Sequence, residues 1–270
     1  MSILSAEMLE RIKLLPPVLA LRKRRYERAF ATSAVNRFRG IYDSFEQALA
    51  TAPQTKAKGF DVDEFEGYFD NRRDELFLYD YPFLYWLGRI LRPDSHVFDI
   101  GGNTGVHFIA YRNRLPYWDQ LRWEVCEVPV IVEAGKQFAE QEGYSDRLTF
   151  TSEFSEAEGK DVLISAGTLQ YIDTRLVDML KPLDKPPQHI LVNKLPLYDG
   201  DEYVTLQNGG VHFIAQQVYN RAKFLGELEA LGYQRVDQWI DSSRSCRIPF
   251  HPERDVPNFT GIYLSKSPPG

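Results

Sequence analysis

Cysteine is scarce in this chain. Cys126 and Cys246 are its only two, too far apart for a thiolate metal site and too few for a disulfide framework. A reducing compartment is the expectation that follows. Long apolar runs are missing as well, since none approaches the ~20 residues that cross a bilayer. The apolar piece LLPPVLAL precedes the basic cluster Arg22-Lys23-Arg24-Arg25 instead of following it, unlike a secretory leader. The expected address is the cytoplasm. Positive charge is not in excess either: the formal net charge is −6, which excludes a general nucleic-acid binder with a dominant basic surface. No spacing suggests a Ser-His-Asp arrangement, a carboxylate pair or a metal cluster. Asp199, Asp201 and Glu202 come nearest, and they read as a solvated loop, so no metal is expected.

What is present centres on His96 to Gly105, HVFDIGGNTG. Val97, Phe98 and Ile100 make a short apolar run, followed at once by Gly101, Gly102 and Gly105. That pattern is a buried strand, a tight turn and a helix. Glycine lets the backbone approach a ligand closely, and the following helix offers free N–H groups. A nucleotide-like cofactor is the usual occupant of such a turn. The spacing excludes two families of occupant. A dinucleotide fingerprint would need glycines where Asn103 and Val106 stand, and a Walker A loop would need a lysine that is absent.

The stretch resembles the first motif of class I S-adenosylmethionine-dependent methyltransferases, D-x-G-x-G-x-G. Asp99, Gly101 and Gly105 match it, and Asn103 replaces the middle glycine. Asn tolerates a left-handed backbone better than most residues. The resemblance implies an α/β fold, a Rossmann-like doubly wound seven-stranded sheet with an antiparallel last strand. It also implies S-adenosyl-L-methionine as cofactor and S-adenosyl-L-homocysteine as product. Asp99, Gly101, Gly102, Asn103 and Gly105 would then form the cofactor turn. Glu127, at the end of the second strand RWEVCE, is where the family places an acid that accepts hydrogen bonds from both ribose hydroxyls. Glu153 and Phe154 follow the third strand, near where the adenine ring lies in this family, and Ala166 and Gly167 end the fourth.

Two regions are expected: an N-terminal helical extension and cap over 1–84, and the methyltransferase domain over 85–270. Residues 1–39 carry a charge of +6 against −12 for the rest. Pro16 and Pro17 split this arm into two helical stretches, and its basic cluster suits either a solvated face or a contact with membrane headgroups or a phosphorylated carrier. Asp43 or Ser44 caps a helix through Ala50. An aromatic-rich stretch over 61–92 follows, mostly core in character, ending in a helix near Phe83–Leu91. By the same resemblance this stretch folds over the cofactor, with Arg72, Arg73, Tyr79 and Tyr81 as candidates for the methionine end. Further along, strands are expected over Arg147–Ser152, Asp161–Ala166 and His189–Leu195, then an antiparallel pair at Arg235–Ile240 and Phe259–Ser265. Asp173 is expected to cap the helix between the fourth and fifth strands.

The set FRGIYDSFEQAL, DIGGNTG, SAGTLQYI, NKLPL, VTLQN and ALGY resembles a little-characterised methyltransferase family found among bacterial surface-polysaccharide genes. That implies methyl transfer to a small-molecule or glycan acceptor, a sugar or a sugar-linked group. In this fold the acceptor enters above the ends of strands four and five. Gln170, Tyr171, Asn193 and Lys194 stand there, and behind them lies a 197–217 insertion too apolar for disorder. The expectation is an ordered lid with Gln207, Asn208 and His212 facing the acceptor. Gln170, Asn193, Gln207 and Asn208 are the acceptor-binding candidates. His212, whose ordinary pKa suits a neutral-pH base, is the leading catalytic candidate, with Tyr171 and Lys194 beside it. A structural histidine is the alternative for His212, and His107 competes as base, although its helix is expected to bury it or point it sideways. A non-catalytic protein that binds the same cofactor is the alternative function.

Overall fold

A computed structural model describes residues 15–59 and 75–266. Its larger part is a seven-stranded sheet. Three strands run in one direction from the centre: β3 (His96–Ile100), β4 (Arg122–Cys126) and β5 (Leu148–Thr151). On the other side of the centre lie β6 (Val162–Ala166), β7 (His189–Leu195), then β12 (Phe259–Ser265) and, at the edge, β11 (Gln234–Asp241). The spatial order is β11-β12-β7-β6-β3-β4-β5. The pairs among β3 to β7 are parallel, whereas β12 is antiparallel to both its neighbours. This is the class I methyltransferase arrangement that the glycine turn implied. The strand order reverses between β3 and β6, which opens a crevice at their carboxyl ends.

The central strands are apolar on both faces because helices cover both. Along β3, Val97 joins a core with Phe83, Leu87, Phe108 and Val125, whereas its neighbour Phe98 points into the opposite core with Leu163, Ile190 and Phe224. The first core is sealed by α3 (Tyr81–Ile90), whose buried Phe83, Leu87 and Ile90 recur at helical spacing. Tyr81 and Tyr85 lie on its other side, exposed, so Tyr81 does not turn toward the cofactor turn as expected. The same core takes α4 (Val106–Tyr111) and α5 (Pro129–Gln141), and α5 starts on Pro129 as a helix should. The opposite core takes α6 (Leu176–Leu180) and α7 (Arg221–Glu229). Asp173 does not cap α6. A 3-10 turn at Leu169–Tyr171 intervenes, and the helix starts after Arg175, whose guanidinium reaches Glu202 and Glu227.

The insertion after β7 and the N-terminal segment fold together, which local sequence signals do not show. The segment does contain the expected helix, α1 (Pro16–Thr32), and then α2 (Phe45–Ala50), which Ser44 caps through the N–H of Gln47. It also contributes strands β1 (Arg37–Tyr42) and β2 (Ala57–Lys58). The insertion forms β8 (Leu197–Tyr198), β9 (Tyr203–Asn208) and β10 (His212–Asn220). Together they make a second sheet in the order β1-β9-β10-β2, with β8 against the end of β10. The expected lid is thus a hairpin built into a sheet.

Side chains on that sheet alternate. Val204, Leu206, Phe213 and Ala215 face α1 and α2 around Phe30, which stacks on Phe213 at 5.3 Å. Gln207, His212, Ile214 and Gln216 face the crevice of the first sheet. Asn208, next to Gln207, must therefore face the helices. It is fully buried, donates to the carbonyls of Phe30 and Ser33, and accepts from Lys56 Nζ (2.9 Å) and Gly210 N (2.8 Å). Asn208 is a clamp on the end of α1 and not an acceptor ligand. Asn208→Ala should lower stability by about 1–3 kcal/mol, because several buried groups lose their partner at once. Urea titration checks this; an unchanged midpoint would remove the clamp.

Candidate functional site

One cavity of about 790 Å³ runs from the strand reversal to the underside of the second sheet. Its floor is the glycine turn. Gly101 has φ +73, and a Cβ there would lie 1.9 Å from Thr168 Oγ1, so only glycine lets the two loops meet. Gly102 also approaches Asp99 too closely for a side chain, with Oδ2 2.4 Å from where a Cβ would stand. Asn103 takes the left-handed conformation, φ +50, that the missing glycine would have supplied. Gly101, Gly102 and Asn103 all line the cavity.

Two other members of the motif lie behind it. Gly105 caps α4 with φ +90 and packs on Leu148. Asp99 is fully buried, since its position on β3 points it under the turn. It accepts from His107 Nδ1 (2.9 Å) and Trp123 Nε1 (3.1 Å). It anchors the first turn of α4 and does not touch the cavity. His107 is buried, as expected, yet its ring forms part of the wall. Burial works against its cation, but the charge and hydrogen bond of Asp99 outweigh that and raise its pKa.

Glu127 sits at the end of β4 on the cavity wall. Asn103 N–H donates to its Oε1 and Val128 N–H to its Oε2, both at 3.1 Å. Burial pushes its carboxyl up to about 7, only partly offset by those two bonds. A carboxylate held this way, with lone pairs to spare on both oxygens, fits a pair of hydroxyl donors. Phe154, Ala166 and Gly167 also line this half, together with Cys126 and Met179. Glu153 does not: it is exposed, because the chain turns outward after β5 and leaves Ser152 and Phe154 facing in. Arg72 and Arg73 lie outside the described residues. Tyr79 is on the wall.

The other half lies under the second sheet. Gln170, Tyr171, Lys194, Gln207 and His212 all reach it. Tyr171 OH donates to Gln207 Oε1 and Gln207 Nε2 donates to Asn36 Oδ1, each at 2.9 Å, so one chain of bonds joins all three segments. Burial raises the Tyr171 phenol, chiefly against bonds from Gln170 and Gln207, so it stays a donor at neutral pH. His212 departs from the expected titration. Burial, reinforced by the charge of Lys56, lowers its pKa to about 4, leaving the ring neutral across the physiological range.

Asn193 is not in the cavity. It is fully buried: Nδ2 donates to Tyr79 O (2.6 Å), and Oδ1 accepts from Lys194 N (3.0 Å) and Trp239 Nε1 (3.1 Å). The reason is a bulge. Thr260 pairs with Leu195 and Ile262 with Val192, so Gly261 opposes both Asn193 and Lys194. Lys194 takes φ +56 there and lays its side chain over Gly167, its Nζ 3.8 Å from the centre of the Tyr79 ring. Asn193 holds the bulge, and the bulge aims Lys194. Sequence reasoning also missed Asn36, Phe38, Ile214, Gln216, Arg244 and Phe259, all on the wall. Among the described residues no cluster suits a metal ion, and no helix is long and apolar enough to cross a membrane.

No family model matches the chain, and no curated protein matches it significantly. The solved structures similar to it include an S-adenosylmethionine-dependent methyltransferase from Aquifex aeolicus, at 11% identity and TM-score 0.47, covering 77% of this chain and 100% of that one. Magnesium protoporphyrin IX methyltransferase from Synechocystis PCC 6803, solved with S-adenosylhomocysteine, reaches 13% identity and 0.46 over 69% and 81% of the two chains. The mitomycin 7-O-methyltransferase reaches 16% and 0.45 over 95% and 70%. At these scores the likeness carries neither activity nor substrate across. The class of fold stands on the strand order and the glycine turn.

Proposed function

We propose that this protein is an S-adenosylmethionine-dependent methyltransferase whose acceptor is a sugar or sugar-linked group of a surface polysaccharide. The observation that carries the reading is the single two-part cavity. Its floor has the turn, the strand-end carboxylate and the apolar slot that fit the cofactor. Its acceptor half presents amides, a phenol and an imidazole, and Phe38, Phe77 and Phe259 are also on the cavity wall, a lining suited to a hydroxylated ring. The exposed basic residues Arg24, Arg25 and Arg28 on α1 suit an acceptor delivered on a phosphorylated or lipid carrier.

In the mechanism, the cofactor supplies an electrophilic methyl on sulfur. Glu127 would hold the ribose, Phe154 would flank the adenine, and Gly101 to Asn103 would let the backbone close on the methionine part. The Tyr171–Gln207–Asn36 chain and Gln170 fix the acceptor, and orientation alone contributes on the order of 7–11 kcal/mol to such a displacement. Lys194, aimed by its bulge, steadies the acceptor at the end of β7. His212 would accept the acceptor hydroxyl's proton during the transfer and pass it to water. The test is calorimetry with S-adenosylhomocysteine and NAD, then labelled methyl transfer to a glycan panel. Binding of the sulfur cofactor with transfer to a glycan is expected. Binding without transfer would favour the non-catalytic alternative, and binding of NAD alone would overturn the cofactor.

A pH dependence follows from Glu127. The ribose hydroxyls need a carboxylate, but the buried carboxyl titrates near 7. Cofactor affinity should therefore be flat above pH 7 and fall about tenfold per unit below it, as binding must displace a proton. Calorimetry between pH 5.5 and 8.5, ranges set by that titration, reads it out. Constant affinity would show that Glu127 is ionised before the cofactor arrives.

A further inference from the structure

The irregular 242–258 segment between β11 and β12 brings to the cavity a cation that no acid among the described residues balances. Arg244 lies on the wall beside Ser245, exposed where the cavity meets solvent and close enough to Tyr171 to favour its ionised form. The nearest acid along the chain does not neutralise it. Asp241 is buried, its Oδ1 accepts from Ser243, and its Oδ2 has no partner. Among the described residues nothing forms a hydrogen bond or ion pair with the Arg244 guanidinium. Of the other arginines near this part of the fold, Arg175 pairs with Glu202 and Glu227 and Arg221 with Asp199, whereas Arg247 of the same segment does not line the cavity.

The surroundings sharpen the contrast. Among the described residues the acids that line the cavity are Glu75 and Asp80, ahead of α3, and Glu127 on the floor. None comes from the second sheet or from the 242–258 segment. Beneath that sheet the polar lining among the described residues includes Asn36, Gln170, Tyr171, Gln207, Gln216 and the neutral His212, and the formal charges there are Arg244 and Lys194. The amides already suffice for hydroxyl groups. A guanidinium adds a planar fork matched to carboxylate or phosphate oxygens.

Resting on the methyltransferase reading, we infer that the acceptor carries a carboxylate or phosphate group and that Arg244 binds it, which makes Arg244 the specificity-determining residue of the acceptor half. The test is calorimetry on the full chain saturated with S-adenosylhomocysteine, using methyl glucoside, methyl glucuronoside and glucose 1-phosphate as probes. One anionic probe or both should bind at least about tenfold more tightly than the glucoside, and the better of the two identifies the group. Arg244→Gln should erase that preference, and Arg244→Lys should keep part of it. Cofactor-product affinity is the control for each variant. Equal binding of the three probes, no binding of the anionic pair, or a preference that survives Arg244→Gln overturns the inference. Loss of S-adenosylhomocysteine binding in the unmodified protein would instead overturn the reading beneath it.

Discussion

Replacing His212 with alanine is expected to lower turnover by about 10²–10⁴-fold while leaving cofactor affinity unchanged. His212 stands on β10 among the residues that face the crevice, and Glu127 and the glycine turn lie on the opposite floor. Its ring is neutral at working pH because burial and Lys56 lower its pKa to about 4. A base of that kind is in its proton-accepting form throughout the ordinary range. In kcat measured at saturating cofactor, where the Glu127 titration does not enter, the acid limb should then sit near pH 4, well below an ordinary histidine, and should vanish in the variant. His212→Gln keeps a polar side chain without the titration and should be as inactive. Steady-state rates between pH 3.5 and 8, bracketing that limb, check both statements. A variant with undiminished turnover would shift proton removal to Lys194 or to water.

Glu127→Ala is expected to weaken cofactor binding by about ten- to a hundredfold, since hydrogen bonds to a charged group are worth roughly 1.5–3 kcal/mol. The upper end applies here because Glu127 also holds the turn. Its Oε1 is the partner of Asn103 N–H, so truncation removes a ligand and loosens the backbone beside it. Glu127→Gln, which retains one acceptor oxygen, should fall between. Calorimetry with S-adenosylhomocysteine decides, and an unchanged dissociation constant in the alanine variant would mean that the ribose is held elsewhere.

The first sheet was legible because its signals are local. β3, β6 and β7 are short apolar runs ending in glycine or polar residues, and Glu127 stands one strand beyond the turn. Errors within that sheet came from side-chain direction. Asp99 and Asn193 are polar residues at strand ends, and only parity along β3 and the bulge in β7 reveal that both point away from the cavity. The second sheet was illegible for a different reason. β9 pairs with β1, Arg37 opposite Asn208, and nothing near either residue announces a partner so distant in sequence. Its alternation was nonetheless present in VTLQN and VHFIAQQ. Applied there, period two assigns Gln207 and Asn208 to opposite faces. Arg244 had no signal at all, being one arginine in an irregular stretch.

The way β1 closes the roof bears on the order in which the site comes into being. Asn36 and Phe38 line the acceptor half, yet their partners on β9 leave the ribosome long after them. The glycine turn, Glu127 and β6 can assemble from contacts close along the chain, whereas the roof must wait for a long loop to close. The same asymmetry persists in the mature fold. A fluctuation that detached β1 with α1 would open the acceptor half while the glycine turn, held within the first sheet, stayed in place.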